Sequence, residues 1–227
     1  MLVPTAFHFL GKVSCNYMPN VTEFIKRYLS ACQVELFRKT CFGHLLDMDQ
    51  IICQGQLIHG LLLREVASDD VNAICFKIGE SILRFGIEEF GLISGLKCHG
   101  DIVDVRPGIV PDGGLMDRYF PDDISVTKLS LEEAIKYRRW VNDEDAVKLC
   151  VLFLIHKFIV TTRYDKLTNK DFLLVDSGLY EQYLWGLVSF RALFNCIKGR
   201  LVERGSLKNS KTPFHYCVDG CPAVFQA

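Results

Sequence analysis

The sequence has no excess of one charge. Lys and Arg number 26 and Asp and Glu 27, for a net charge of −1. No global basicity points to nucleic acid, so any such binding would have to be local. Its ten cysteines include no Cys-x-x-Cys pair and are irregularly spaced. Most sit inside apolar runs, where cysteine behaves as a small hydrophobe. A disulfide framework is not expected in a chain of this size with no secretory signal, and the reading is a reducing compartment, cytosol or nucleus. Met1–Leu10 is apolar but lacks a basic n-region and a small-residue cleavage site. The longest apolar segment, Ala146–Val160, is interrupted by Lys148, His156 and Lys157 and is too short and too charged to span a membrane. Internal repeats and low-complexity segments are also missing.

Enough apolar material is present for a core: 49% of residues are hydrophobic and 23% charged. The length, 227 residues, fits one large or two small domains. Organisation is clearest at Ile82–Cys98. Leu83 and Phe85 alternate around Arg84 as in a half-buried strand, and from Gly86 the period becomes helical, with Ile87, Phe90 and Ile93 on one stripe. Glu88 and Glu89 suit the helix N-terminus, and Gly95 suits a left-handed C-terminal cap. Upstream, Ala73–Ile78 reads as a strand, Gly79-Glu80-Ser81 as a hairpin turn, and Ser81–Phe85 as the partner strand.

Met1–Pro19 shows no period and is expected to be poorly ordered. A helix begins at Asn20, with Glu23 three residues on, and runs to about Ala31–Gln33. Val34–Phe42 is ambiguous. Gln54–Val66 is a helix burying Leu57, Ile58, Leu61 and Leu62, with Arg64 and Glu65 wet. Lys97–Ser125, rich in Gly and Pro, is a loop, with a helical turn at Met116–Phe120. Ser130-Leu131-Glu132-Glu133 reads as a capping box for a helix to about Trp140. Asn142 or Asp143 caps a helix at about 144–161 that is apolar almost all round and is expected to be a central buried helix. Thr168–Asp171 is a turn and Phe172–Val175 is of uncertain type. Leu179–Tyr183 and Trp185–Val202 are helices, and Gly205–Pro213 is an exposed loop.

The run LRFGIEEFGLISGLKC at Leu83–Cys98 resembles the signature of a plant domain of unknown function. FRKTCFGHLLDM at Phe37–Met48, QLIHGLLLREV at Gln56–Val66, AICFKIG at Ala73–Gly79, YLWGLVSF at Tyr183–Phe190 and CPAVFQA at Cys221–Ala227 follow the family order. The resemblance covers about Thr22 to Ala227. It implies a transposon-derived plant protein in which such a domain lies upstream of a ubiquitin-like, SUMO-type cysteine protease domain. A fainter likeness is to the plant mobile domain of transposases. The chain ends inside the last family motif, so the resemblance also implies a copy truncated at its C-terminus.

That link makes the protease triad the first chemistry to seek. Such enzymes need a cysteine activated by His and Asp, with an upstream Gln at the oxyanion. The chain offers Asp219-Gly220-Cys221, in the wrong order, with no Gln between Gln182 and Cys221 and no His-Trp pair. Cys221 is therefore read as non-catalytic. His215, Cys217 and Cys221, or Cys98-His99, are too sparse for a recurrent zinc pattern. His59 and His156 lie in apolar helices and are read as hydrogen-bonded side chains in or near the core; His44 is read as a turn or cap residue.

Two surface groups remain. Arg64, Arg84, Glu88 and Glu89 would line a partner-binding face or form a structural salt bridge. Lys198, Arg200, Arg204, Lys208 and Lys211 would meet nucleic-acid phosphates, joined by Lys26, Arg27, Arg38 and Lys39 on one face, or cover a solvated helix end and loop. The expected object is a mainly helical α+β domain over residues 20–227, with helices around that central helix and one small β-hairpin at about 73–85. Its expected role is a non-catalytic interaction module binding a protein partner. The alternatives are a transposase-like DNA-binding module and a fragment of a ubiquitin-like cysteine peptidase without its catalytic domain. No cofactor, metal, small-molecule ligand or membrane is expected.

Overall fold

The structure, a computed structural model, describes residues 1–101, 113–202 and 214–226. In chain order its elements are β1 (Gly11–Cys15), α1 (Val21–Tyr28), α2 (Ala31–Arg38), α3 (Gly55–Leu62), β2 (Glu65–Val66), β3 (Ala73–Ile78), β4 (Ser81–Gly86), α4 (Ile87–Ser94), α5 (Leu115–Tyr119), α6 (Lys128–Lys136), α7 (Asp143–Leu154), α8 (Asn169–Asp176), α9 (Trp185–Ile197), β5 (Phe214–Val218) and α10 (Pro222–Phe225). The class is α+β. Contacts fall into two compact units, each discontinuous in sequence, where the sequence reads as one domain from residue 20 onward. Among the described residues no helix is long and apolar enough to cross a membrane.

The first unit joins Met1–Tyr17, Ile52–Cys98 and Trp185–Ala227. Met1–Pro19, where the sequence predicts poor order, contains β1, which pairs in parallel with β5 from Gly11↔Phe214 to Cys15↔Val218. No local pattern signals this pair, because its members lie at opposite ends of the chain. His59 on α3 fastens it. Its Nδ1 is 3.1 Å from the Tyr216 hydroxyl and its Nε2 is 2.9 Å from the Phe9 carbonyl oxygen, as expected for a satisfied core histidine. The helix ends at Leu62, short of Val66, because Glu65 and Val66 leave it to pair with Phe76 and Cys75 of β3. Glu65 is buried, not wet, and both its carboxylate oxygens accept the Gly199 N–H at 3.0 Å. Burial raises its pKa, against the opposing Gly199 bond and the Lys198 charge. Leu57, expected inside, is 42% exposed.

The hairpin matches the sequence reading. Ile78↔Ser81 closes a two-residue Gly79-Glu80 turn. Gly79 sits at φ 58° and Glu80 is not left-handed, which fits a type II′ turn with glycine first. Gly95, at φ 67°, caps α4 as expected. On α9, Gly186 answers a close approach. Its N–H donates to the Lys97 carbonyl at 2.9 Å, and a Cβ there would lie 2.4 Å from Cys98 Sγ and 2.9 Å from the Leu96 and Lys97 carbonyl oxygens. That explains the glycine of the Tyr183–Phe190 motif.

The second unit joins Met18–Ile51 and His99–Leu184. Three helix starts differ from expectation, and each difference has a capping cause. Asn20 precedes α1 without a side-chain cap bond. The chain then turns at Leu29, and Ser30 with Gln33 forms a reciprocal capping box that opens α2, a second helix where the sequence is ambiguous. Ser130 is the third residue of α6, not its cap; Thr127 is the cap, accepting the Ser130 N–H. Thr168 with Asp171, read as a turn, caps α8, so Phe172–Val175 is helical.

Of the two cap candidates, Asn142 caps α7, accepting the Asp145 N–H at 2.8 Å, and Asp143 is the first helical residue. The expected span 144–161 is divided: the α-helix ends at Leu154 and a π-helical turn covers Ile155–Ile159. Buried Asp145 in the first turn accepts from the Tyr119 hydroxyl at 2.6 Å, Arg118 at 2.8 Å and Asn142 Nδ2 at 3.0 Å. These bonds offset the desolvation of a charge placed where the helix dipole favours it. Phe153 stacks on Phe24 at 4.6 Å between centroids.

His156 lies in the π turn. Its Nε2 is buried without a hydrogen bond, 3.5 Å from Asp171 Oδ2. Desolvation lowers its pKa, Asp171 opposes that shift and Lys128 reinforces it.

Two outcomes follow from these contacts. Gly186→Ala is expected to destabilise the protein by about 1–3 kcal/mol, because the added methyl meets backbone carbonyls that cannot swing away; urea unfolding of both proteins measures it. The unfolded state takes up the His156 proton near pH 6.5, before the folded state does. Stability present above that pH is therefore lost as pH falls towards the lower folded value. His156→Gln should remove this part of the acid limb, seen as a smaller drop in melting temperature between pH 7.5 and 5 (conditions bracketing the free imidazole value).

Candidate interaction site

Arg84 is the centre of the best-formed polar cluster on the first unit. Alternation along β4 sets it on the face opposite Phe85, whose ring packs 5.1 Å from that of Phe225. The chain enters α4 three residues later, so Glu88 and Glu89 come within reach. Arg84 Nη1 is 3.0 Å from Glu88 Oε2 and 2.7 Å from Glu89 Oε2, and Nε donates to Asp70 Oδ2 at 3.1 Å. Glu89 Oε2 also accepts the Gly86 N–H at 2.7 Å, which satisfies a free donor of the helix start. One arginine thus ties the loop before β3, the strand β4 and the first turn of α4.

The electrostatics agree. The guanidinium is held protonated by the hydrogen bonds it donates to Asp70, Glu88 and Glu89. The Asp70 carboxyl is lowered by the Asn72 N–H and by Arg84. Burial works against ionisation of Glu89, yet the Gly86 N–H and Arg84 keep its pKa below the usual range. Arg84 is 40% exposed and Glu88 65%, so these pairs contribute orientation more than stability.

Beside the cluster lies a cleft of about 490 Å³. Leu187, Phe190 and Phe194 of α9 form its apolar floor, and Asn72, Arg191 and Asn195 its polar rim. Among the described residues Arg191 has no ion pair. Its volume lies within the range of ligand pockets, and polar and charged side chains from Asp70, Arg84 and Glu88 also line it.

The sequence expectations divide at this site. Arg84, Glu88 and Glu89 come together. Arg64 does not join them: it donates back to the Gly60 carbonyl of the preceding helix α3. Asp70, Asn72, Arg191 and Asn195 were not foreseen. The signal for the last two is their helical spacing with Leu187 and Phe194 within the predicted helix Trp185–Val202. Nothing local joins Asp70 to Arg84.

Of the basic group, Lys198 is engaged within the unit. Lys198 Nζ donates to the carbonyls of Val71 at 2.9 Å, Ala73 at 3.2 Å and Asp70 at 3.3 Å, and sits 4.7 Å from the Phe194 ring centroid. Its ammonium fastens the loop before β3. Arg200 is exposed, while Arg204, Lys208 and Lys211 lie outside the described residues. Of the other cations, Arg38 forms a paired bond with Asp47 at 2.7 and 2.9 Å.

Cys221 is buried, and burial pushes its thiol up to about 12, against the opposing N–H groups of Val224 and Ala223. His215 is 2.8 Å from Ser14 Oγ. Among the described residues no three His, Cys, Asp or Glu side chains are grouped to hold a metal ion. All ten cysteines are free thiols.

A family model described as a domain of unknown function (DUF1985) matches residues 62–196, a span that includes Asp70, Arg84, Glu88, Glu89 and Arg191. No curated protein and no solved structure matches the chain. The match covers more than half of the sequence, and the chain belongs to the domain of unknown function family DUF1985.

Proposed function

We propose that this domain is a non-catalytic interaction module that binds a segment of a protein partner in the cleft between α4 and α9. The observation that carries this reading is the unpaired Arg191 beside an apolar floor, next to an Arg84 already saturated by three carboxylates. Arg84 shapes the rim. Arg191 has charge to spare for a carboxylate on a segment that rests apolar side chains on Leu187, Phe190 and Phe194.

The burial and raised pKa of Cys221, the only residue with any triad-like context, support a non-catalytic role. The ordered motifs from Phe37 to Cys221 support the further proposal that the domain is an accessory part of a transposon-derived plant protein linked to a SUMO-type protease, working in the nucleus or cytosol. The free thiols accord with a reducing compartment.

DNA binding of transposase-like origin is the competing reading, and Lys198 weakens it, because its ammonium already bonds three carbonyls. A photo-crosslinking residue placed at Asn195 is expected to capture a discrete protein partner, whereas the same residue at exposed Leu129 is not. Arg191→Glu should abolish that capture while leaving the melting temperature unchanged within about 0.5 kcal/mol of stability, the range of exposed substitutions. Equal capture from both positions would overturn the cleft reading. Retention on duplex DNA that falls steeply with salt, and is lost on neutralising Arg200, Lys208 and Lys211 together, would favour the transposase-like reading instead.

A further inference from the structure

The hairpin carries a second surface, the backbone edge of β4, beside the cleft that the Arg84 side chain borders. In the order β2-β3-β4, strand β4 is an edge, pairing among the described residues with β3 alone. The phase of its hydrogen bonds is fixed at two points. Lys77, opposite Ile82, donates its N–H to the Arg64 carbonyl on the far side, so this pair exchanges no ladder bonds. Gly86 donates outward to Glu89. Bonded and non-bonded pairs alternate in an antiparallel ladder. Ile82 and Arg84 therefore turn their N–H and C=O groups away from β3.

Several devices that usually protect such an edge are missing among the described residues. Between Ser81 and Gly86 there is no Pro and no Lys, and the register runs from Ala73↔Gly86 to Ile78↔Ser81 without a bulge. Ile82 is 56% and Leu83 51% exposed. Arg84 is the only charge, and its guanidinium is drawn back to Asp70, Glu88 and Glu89.

We propose that β4 is a self-pairing edge: two copies of this chain join their β4 strands, antiparallel, about a two-fold axis at Leu83. This register satisfies the strand's own constraints. Ile82 of one copy lies opposite Arg84 of the other, so the four outward-facing backbone donors and acceptors of each copy bond reciprocally. Leu83 meets Leu83 at a non-hydrogen-bonded position, where side chains approach most closely. Moving the axis to Arg84 would set two arginines directly opposite, a destabilising arrangement. Moving it to Ile82 would set Arg84 against Glu80, inside the turn, where no strand remains to pair. The surface is self-complementary, as a two-fold interface must be. A pairing of so few residues buries less than the roughly 1,200 Å² of a stable complex, so the dimer is concentration-dependent and exchanges freely.

Analytical ultracentrifugation of the full chain, from micromolar to millimolar concentration, is expected to show a monomer–dimer equilibrium. Leu83→Lys and Leu83→Glu should each be monomeric, and an equimolar mixture of the two should recover the dimer, because opposite charges then face each other across the axis. Ile82→Pro, which removes an outward N–H and no ladder bond, should also be monomeric. Circular dichroism checks that each variant is folded. A wild-type chain that stays monomeric throughout, or charge variants that dimerise alone as the wild type does, would overturn the proposal. Either result leaves the cleft reading standing, since Arg191 and its floor take no part in the pairing.

Discussion

The first unit depends on a pairing between the two ends of the chain. Ser14 and His215, 201 residues apart, sit side by side on β1 and β5. A parallel pair cannot be closed by a hairpin and requires a crossover, so everything between must leave and return. The loop-closure cost is offset by contacts that converge on the strands. His59 holds Tyr216 and the Phe9 carbonyl, and Gln226 bonds Tyr17 and the Gln54 N–H. Once the ends are joined, the Ile52–Cys98 segment and α9 have a frame against which to pack.

On that frame the hairpin and α4 form a local unit with little freedom. The type II′ turn sets the register, the register sets Arg84 on one face and Phe85 on the other, and Gly86 lets the chain enter α4 with Glu89 reaching back to its N–H. The acids meet Arg84 as a geometric consequence of two residues of strand followed by one turn of helix. Their partial exposure means that the cluster orders the rim of the cleft rather than stabilising the unit. Among the described residues Arg191, on the rim of the cleft, has no ion pair. Lys198, the first cation of the basic stretch, supports the loop on which Asp70 and Asn72 sit.

Capping explains most of the differences along the second unit. Ser30, Thr127 and Thr168 each accept the N–H three residues on. Several hydroxyls and carboxamides compete for every helix start, and local spacing does not say which is used; at Ser130 it favours the wrong one. Glu65 shows the same limit for burial. A glutamate at the end of a helical pattern reads as solvated, yet the chain leaves the helix, pairs with Phe76, and carries the carboxylate inward to the Gly199 N–H.

The sequence by itself determined the local elements whose signals agree: the hairpin and its turn, α4 with its acidic start and glycine end, and the apolar run of α7. It also brought Arg84, Glu88 and Glu89 together, because they are neighbours in sequence. Tertiary structure alone decided the β1–β5 pair, the burial of Glu65, the Asp70 arm of the arginine cluster and the Asn72–Arg191–Asn195 rim. These join residues from distant segments, and no short-range periodicity records which distant backbone a strand or side chain will meet. The division of the apolar run at Leu154 into an α-helix and a π turn belongs with them. Hydrophobic period specifies which side is buried, while the backbone bonding within the helix is set by what packs around it.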